Sequence, residues 1–244
     1  MTSTPPITSV QSIWTKVAVD PITIPIARRL ANANAITPNK VTALAGLFAI
    51  GASVAFLLGE LRIGGVLFLL RYACDNLDGQ LARSQGRSST RGAALDLIVD
   101  IVGISVALAS LTSYLVSTGL MSVQPALFLL ASVVVYNWAL AYRKSLAKAA
   151  GLSGDGGANQ TFTTDVPILR RWTLFCARIG MSPLPWAVEA EILALGLGPL
   201  LLPPRFLSYT LILVLAFYLV ANIVNIRRIW RIASATDSEA ARVS

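Results

Sequence analysis

The stretch CDNLDGQLARSQGRSSTRGAALDLIVD, residues 74–100, places four carboxylates at two helical spacings: Asp75 with Asp78, and Asp96 with Asp100. Residues three or four apart share a helix face, so each pair points one way. Carboxylates brought together near a low-dielectric region repel one another and lose hydration. Divalent cations relieve that better than arginines, and an oxygen-only ligand set favours hard ions such as Mg²⁺, Mn²⁺ or Ca²⁺. Asp75, Asp78, Asp96 and Asp100 are therefore candidate ligands of a two-metal site, whose usual use is phosphoryl transfer. Simple helix capping explains Asp96 near a helix start. It fails for Asp75 and Asp78 at the C-terminal end of an apolar run, where negative charge is unfavourable.

The residues between support the same reading. Gly79 and Gly92 leave room for a ligand to approach the backbone, Ala82 keeps a face open one turn from Asp78, and Arg83 is placed to hold a phosphate. Arg71, one turn before Asp75, is expected to pair with it. The chain has no histidine, which excludes an imidazole base or a phosphohistidine. Cys74 and Cys176 make neither a disulfide framework nor a paired thiolate metal motif, and Cys74 is read as a packing residue.

The elements that hold this constellation are apolar blocks. Of 244 residues, 55% are hydrophobic and 13% charged, well below the roughly 25% charge of soluble domains. Blocks near 41–58, 61–82, 95–117, 124–142, 185–202 and 206–226 have the ~20-residue length that spans a bilayer as helix. The expected fold is an all-α integral membrane protein with six transmembrane helices and an N-terminal amphipathic surface helix. Residues 1–15 read as disordered, 16–36 as the juxtamembrane helix with Ile22, Ile26 and Leu30 on one face, 37–230 as the catalytic bundle, and 231–244 as a polar tail. No cleavable signal peptide is evident. A Gly-rich piece, GLSGDGGANQ, interrupts a long loop at about 143–183. Within that loop, Ile168, Leu169, Trp172, Phe175, Cys176 and Ile179 share one helical face, and Arg171 and Arg178 another.

With a cytoplasmic N-terminus, all of the 20 Lys and Arg except Arg62, Arg71 and Arg205 fall on the inner side. The net charge of +8 then faces anionic headgroups. No groove-binding helix or stacking motif accompanies it, so nucleic acid is not an expected partner.

The pattern Asp75-x2-Asp78-Gly79-x2-Ala82-Arg83-x8-Gly92-x3-Asp96-x3-Asp100 resembles the signature of the CDP-alcohol phosphotransferases (CDP-alcohol phosphatidyltransferases), with every fixed position filled. The resemblance extends more loosely over 15–230, through the surface helix and TPNKVT opening the first span. It implies metal binding by Asp75, Asp78 and Asp96, and a general base at Asp100 that also touches the second ion. It implies a nucleotide surface made by Gly79, Ala82, Arg83 and Gly92, two ions of Mg²⁺ or Mn²⁺, a homodimer, and an active site facing the cytoplasm of a bacterial membrane. The implied reaction is attack by an acceptor hydroxyl on the β-phosphorus of a CDP-linked alcohol, releasing CMP.

Two donor assignments compete. CDP-diacylglycerol giving its phosphatidyl group to a polar alcohol is preferred, because the six-span length resembles the bacterial members that do so. A soluble CDP-alcohol donating to diacylglycerol is the alternative. Arg143, Lys144, Arg171 and Arg178 are candidates for a phosphorylated acceptor such as glycerol phosphate or inositol phosphate, although the positive-inside bias explains them equally well. Ile101 follows Asp100 where phosphatidylinositol phosphate synthases tend to carry arginine, which weighs against inositol phosphate. An ion-coupled transporter using the intramembrane aspartates is a different class of function. It would need a polar path across the bilayer, and the outer halves of the first three spans offer only scattered Ser and Thr.

Overall fold

The computed structural model describes residues 11–31, 36–151 and 167–243, with side chains at 167–169 and beyond 237 excepted. The Gly-rich piece after Gly151 and the first ten residues lie outside them. The described chain is helical. A π-helical turn, Thr15–Val19, leads into α1 (Asp20–Leu30); α2 (Pro38–Leu57), α3 (Leu61–Ser84), α4 (Thr90–Ser117) and α5 (Val123–Ala149) follow. After α6 (Pro167–Ile179) come α7 (Ala187–Glu191), a π-helical stretch Ile192–Leu197, α8 (Gly198–Leu201) and the long α9 (Pro204–Val243).

Local sequence sets these limits. Thr37 is extended and Pro38 opens α2, where its missing N–H costs nothing. Gly86 ends α3 at φ +62°, with the Arg87 N–H on the Ala82 carbonyl at 2.9 Å. Three residues later the Ser89 hydroxyl accepts from the Gly92 N–H at 3.0 Å and starts α4. The two halves of the aspartate motif are therefore held by a short, capped turn.

α2 is the centre of the packing. Its buried face is mostly small (Val41, Thr42, Ala45, Ala49, Ala52 and Ser53, with Phe56 at the far end), and α3 and α4 both lie against it. α3 and α4 touch each other only slightly. α2 is the neighbour that both share, and α3 and α4 leave a gap between them. At Gly103 of α4 a Cβ would lie 3.0 Å from that of Ala49, so the approach there depends on glycine. α5 pairs with α9, through Asn222 Nδ2 on the Ser132 carbonyl at 2.9 Å and Arg143 Nη1 on Asn225 Oδ1 at 2.7 Å. Phe56, Phe68, Leu111, Leu115, Leu129, Leu195, Leu207 and Leu211 fill the core between.

α2, α4, α5 and 204–237 of α9 are long and apolar enough to cross a membrane. α3 has the length, 24 residues, but carries Arg62, Arg71, Asp75, Asp78 and Arg83. The segment 187–201 is short and passes through a π-helical stretch.

In the two end regions, residues 11–15 and 231–243 are described, and both are structured. Helical structure begins at Ile13, and Ser12 and Thr15 are buried, because the Thr15 hydroxyl bonds the Tyr72 hydroxyl at 2.6 Å and Gln11 bridges to Met181. The tail after residue 231 continues α9 to Val243. On α1, Asp20, Thr23 and Ala27 are buried, while Ile22 and Ile26 face outward.

Gly103→Val should force α4 away from α2. We expect a loss of about 1–3 kcal/mol, as for other overpacked sites, read as a lowered midpoint in thermal unfolding of the detergent-solubilised protein. An unchanged midpoint would show that the α2–α4 contact is not tight.

Candidate active site

The four aspartates line the gap between α3 and α4. Asp78 is almost fully buried and accepts a 2.5 Å hydrogen bond from the Thr42 hydroxyl of α2. Asp75, Asp96 and Asp100 are partly exposed. The charges of Asp100, Arg71, Asp96 and Asp78 all reach Asp75. Carboxylates from two helices thus share one field, as the spacing predicts.

Arg71 does not pair with Asp75 as expected. Its Nη2 bonds Asp100 Oδ1 across the gap, and the Asp100 carbonyl lies 3.4 Å from the same nitrogen. The reason is the wedge of α2: it sets α3 and α4 at a separation that an arginine spans.

The donor set of four carboxylates, with the Thr42 hydroxyl on Asp78, fits a hard divalent cation. It is divided between partners, with Asp78 on Thr42 and Asp100 on Arg71. Among the described residues no three carboxylate or thiol groups stand gathered at one point.

The remaining motif residues frame the C-terminal end of α3 and the start of α4. A Cβ on Gly79 would meet nothing nearer than Arg83 Nη1, at 3.5 Å, so Arg83 folds back over an open helix face. Arg83 itself is exposed and Ala82 half-buried. Gly92 sits in the first turn of α4, where a Cβ would press on Ser89 Oγ at 3.0 Å and approach Asn39 Oδ1 of α2 at 3.5 Å.

The four basic residues proposed for an acceptor separate. Arg143 is buried against Asn225 in the α5–α9 contact. Lys144 is exposed, as are Arg171 and Arg178 on α6. On α6 Cys176 is fully buried, whereas Trp172 and Phe175 are exposed and Trp172 Nε1 caps the Pro183 carbonyl at 2.9 Å.

Thr42, Glu191 and Tyr218 were not singled out for this site by sequence. Thr42 closes TPNKVT, and its place one turn into α2 is the signal that was available. Glu191 accepts from the Tyr218 hydroxyl at 3.0 Å, and its charge reaches Arg71. No local pattern links residues so far apart in the chain.

The CDP-alcohol phosphatidyltransferase family profile matches residues 35–236, which contain the whole motif and all of the gap. The chain belongs to this family. It is 33% identical over 189 residues to the phosphatidylinositol phosphate synthase of Mycolicibacterium smegmatis, covering 76% of this chain and 82% of that one. Two crystal structures of the Mycobacterium tuberculosis phosphatidylinositol phosphate synthase share the fold. The one with CDP-diacylglycerol bound superposes with TM-score 0.54 and 20% identity, over 86% of this chain and 94% of the other. The one in complex with manganese and citrate gives 0.54 and 21%, over 86% and 89%. Family membership makes this chain a transferase and removes the transporter reading.

Thr42→Val keeps volume and removes the hydrogen bond to Asp78. CMP release should fall about tenfold, and Thr42→Ser should restore most of it, since a charge-assisted bond contributes roughly 1.5–3 kcal/mol. Full activity in the valine variant would remove Thr42 from the site.

Proposed function

We propose that this protein transfers the phosphatidyl group of CDP-diacylglycerol to the hydroxyl of a polar, phosphorylated alcohol, releasing CMP at the inner face of a bacterial cytoplasmic membrane. The observation that carries the proposal is the complete eight-residue motif, split over α3 and α4 and facing one gap. In support, the M. tuberculosis relative of the same fold binds CDP-diacylglycerol. The segments 61–84 and 187–201 are taken as further spans beside the four apolar helices, giving six, with 13–30 along the surface. Burial of their faces in the common core supports this.

Asp75, Asp78, Asp96 and Asp100 would hold divalent metal, Mg²⁺ or Mn²⁺ in two sites, which when bound would offset the charge of the diphosphate. Gly79 and Gly92 admit the nucleotide to the backbone, Ala82 keeps the α3 face low, and Arg83 contributes a guanidinium to the phosphates. Asp100, fixed on a rigid helix, takes the acceptor's hydroxyl proton. That oxygen bonds to the β-phosphorus while the bond from phosphorus to the CMP oxygen breaks. Cys74 adjoins the acidic Asp75 and Asp78, and the chain has no histidine to activate a thiol, so direct displacement is preferred to a covalent intermediate.

Relatives named phosphatidylinositol phosphate synthase favour inositol phosphate as acceptor. Ile101, apolar beside Asp100, favours glycerol phosphate or another phosphorylated polyol instead. Exposed Lys144, Arg171 and Arg178 are the candidates for the acceptor's phosphate. Arg143, engaged with Asn225, serves the α5–α9 contact. A second copy of the chain is proposed as partner from the family resemblance.

The test is CMP release from CDP-diacylglycerol by purified protein against a panel containing inositol phosphate, glycerol phosphate and unphosphorylated alcohols. One acceptor should give product, chelation should abolish it, and Mg²⁺ or Mn²⁺ should restore it. Asp100→Asn should lower kcat by about 10³-fold or more, given the weight of a general base within a metal site. Release only with a soluble CDP-alcohol and diacylglycerol would reverse the donor assignment.

A further inference from the structure

Arg71 occupies a site that its pairing with Asp100 does not exhaust. Its side chain is 1% exposed, and Nε and Nη1 are buried without a hydrogen-bond partner. The Phe68 ring lies 5.3 Å beneath the guanidinium carbon. Gly103, one turn beyond Asp100, leaves the space: a Cβ there would stand 3.5 Å from Nε. A guanidinium so placed is costly unless a charge fixes it. The carboxylate in contact with it is Asp100.

A second buried polar pair, Glu191 with Tyr218, lies within electrostatic reach of Arg71. Glu191 is the last residue of α7, at the step into the π-helical stretch Ile192–Leu197. Such insertions turn single side chains inward and recur at functional sites. Its Oε1 accepts from the Tyr218 hydroxyl at 3.0 Å. Tyr218 is 1% exposed and clamped edge-on by Tyr136 at 5.3 Å and Phe217 at 5.6 Å.

We infer that Arg71 is the positioning residue of Asp100. Arg71 holds Oδ1 of Asp100, and the Asp100 side chain stays 36% exposed. One oxygen fixes the carboxylate and the other serves the reaction. The positive charge of Arg71 also weakens the pull of the aspartates on a cation, so it trades metal affinity for orientation.

The turnover arm of the test rests on the phosphatidyltransferase reading; the metal arm does not. Mn²⁺ binding to the solubilised protein, without substrate, is titrated by electron paramagnetic resonance for wild type, Arg71→Met and Arg71→Lys. In parallel, kcat and the KM for CDP-diacylglycerol are measured. Arg71→Met should bind Mn²⁺ about tenfold more tightly yet show kcat lowered about 100-fold, with KM within threefold of wild type. Arg71→Lys should return Mn²⁺ affinity to near wild type and recover about tenfold of the lost kcat. A purely structural role predicts weaker Mn²⁺ binding and a loss shared by kcat and folded fraction; that result overturns the inference, as does a methionine variant within twofold of wild type in both. If Arg71→Met does not fold, Arg71→Lys decides. A kcat lowered about tenfold at unchanged KM and near-wild-type Mn²⁺ affinity supports the inference, and wild-type kcat overturns it. Absence of CMP release from wild type itself would sink the functional reading and leave the Mn²⁺ comparison to judge Arg71.

Discussion

A charge carried into an apolar bundle must find its opposite, and the contact between Arg71 on α3 and Asp100 on α4 meets that demand here. Both helices depend on it because they hardly touch elsewhere. α2, with its row of small side chains, holds them apart, and the ion pair ties them across the space that results. The Thr42 hydroxyl does the same for Asp78 from the α2 side. The aspartates are thus neither loose in a loop nor collapsed on one another. Three helices share the task of keeping negative charge separated but close.

Much of this was legible in the sequence, and the reasons differ by element. Long apolar runs bounded by Pro38, Gly59, Gly119 and Pro204 give helices with defined ends, since proline and glycine act on the backbone locally. Spacings of three and four place carboxylates on faces by helix geometry alone. Arg71 shows where that logic stops. Its neighbour at four residues, Asp75, was the local choice, but the partner it took lies 29 residues on, because α2 set the distance.

The end regions teach a related point. Gln11, Ser12 and Thr15 are polar and look unpartnered, yet Ser12 and Thr15 form a buried hydroxyl chain to Tyr72, and the Trp14 N–H reaches Glu189. Short polar residues carry their partners' identity nowhere in their own pattern. The four basic residues fared likewise: composition placed them all on one side, and only packing distinguished buried Arg143 from exposed Arg171 and Arg178.

The length of α9 has a mechanical meaning. Forty residues make a rod of about 60 Å, whereas the hydrocarbon layer is about 30 Å thick. A good part of the rod must therefore stand outside the lipid tails. Arg227, Arg228 and Arg231 mark where it leaves them. Tyr218, Asn222 and Asn225 lie within four turns of that mark, on the same stiff rod. The depth at which the reaction centre floats relative to the headgroups is accordingly gauged by three arginines that touch none of its chemistry. Moving them along the rod would raise or sink the whole site like ballast.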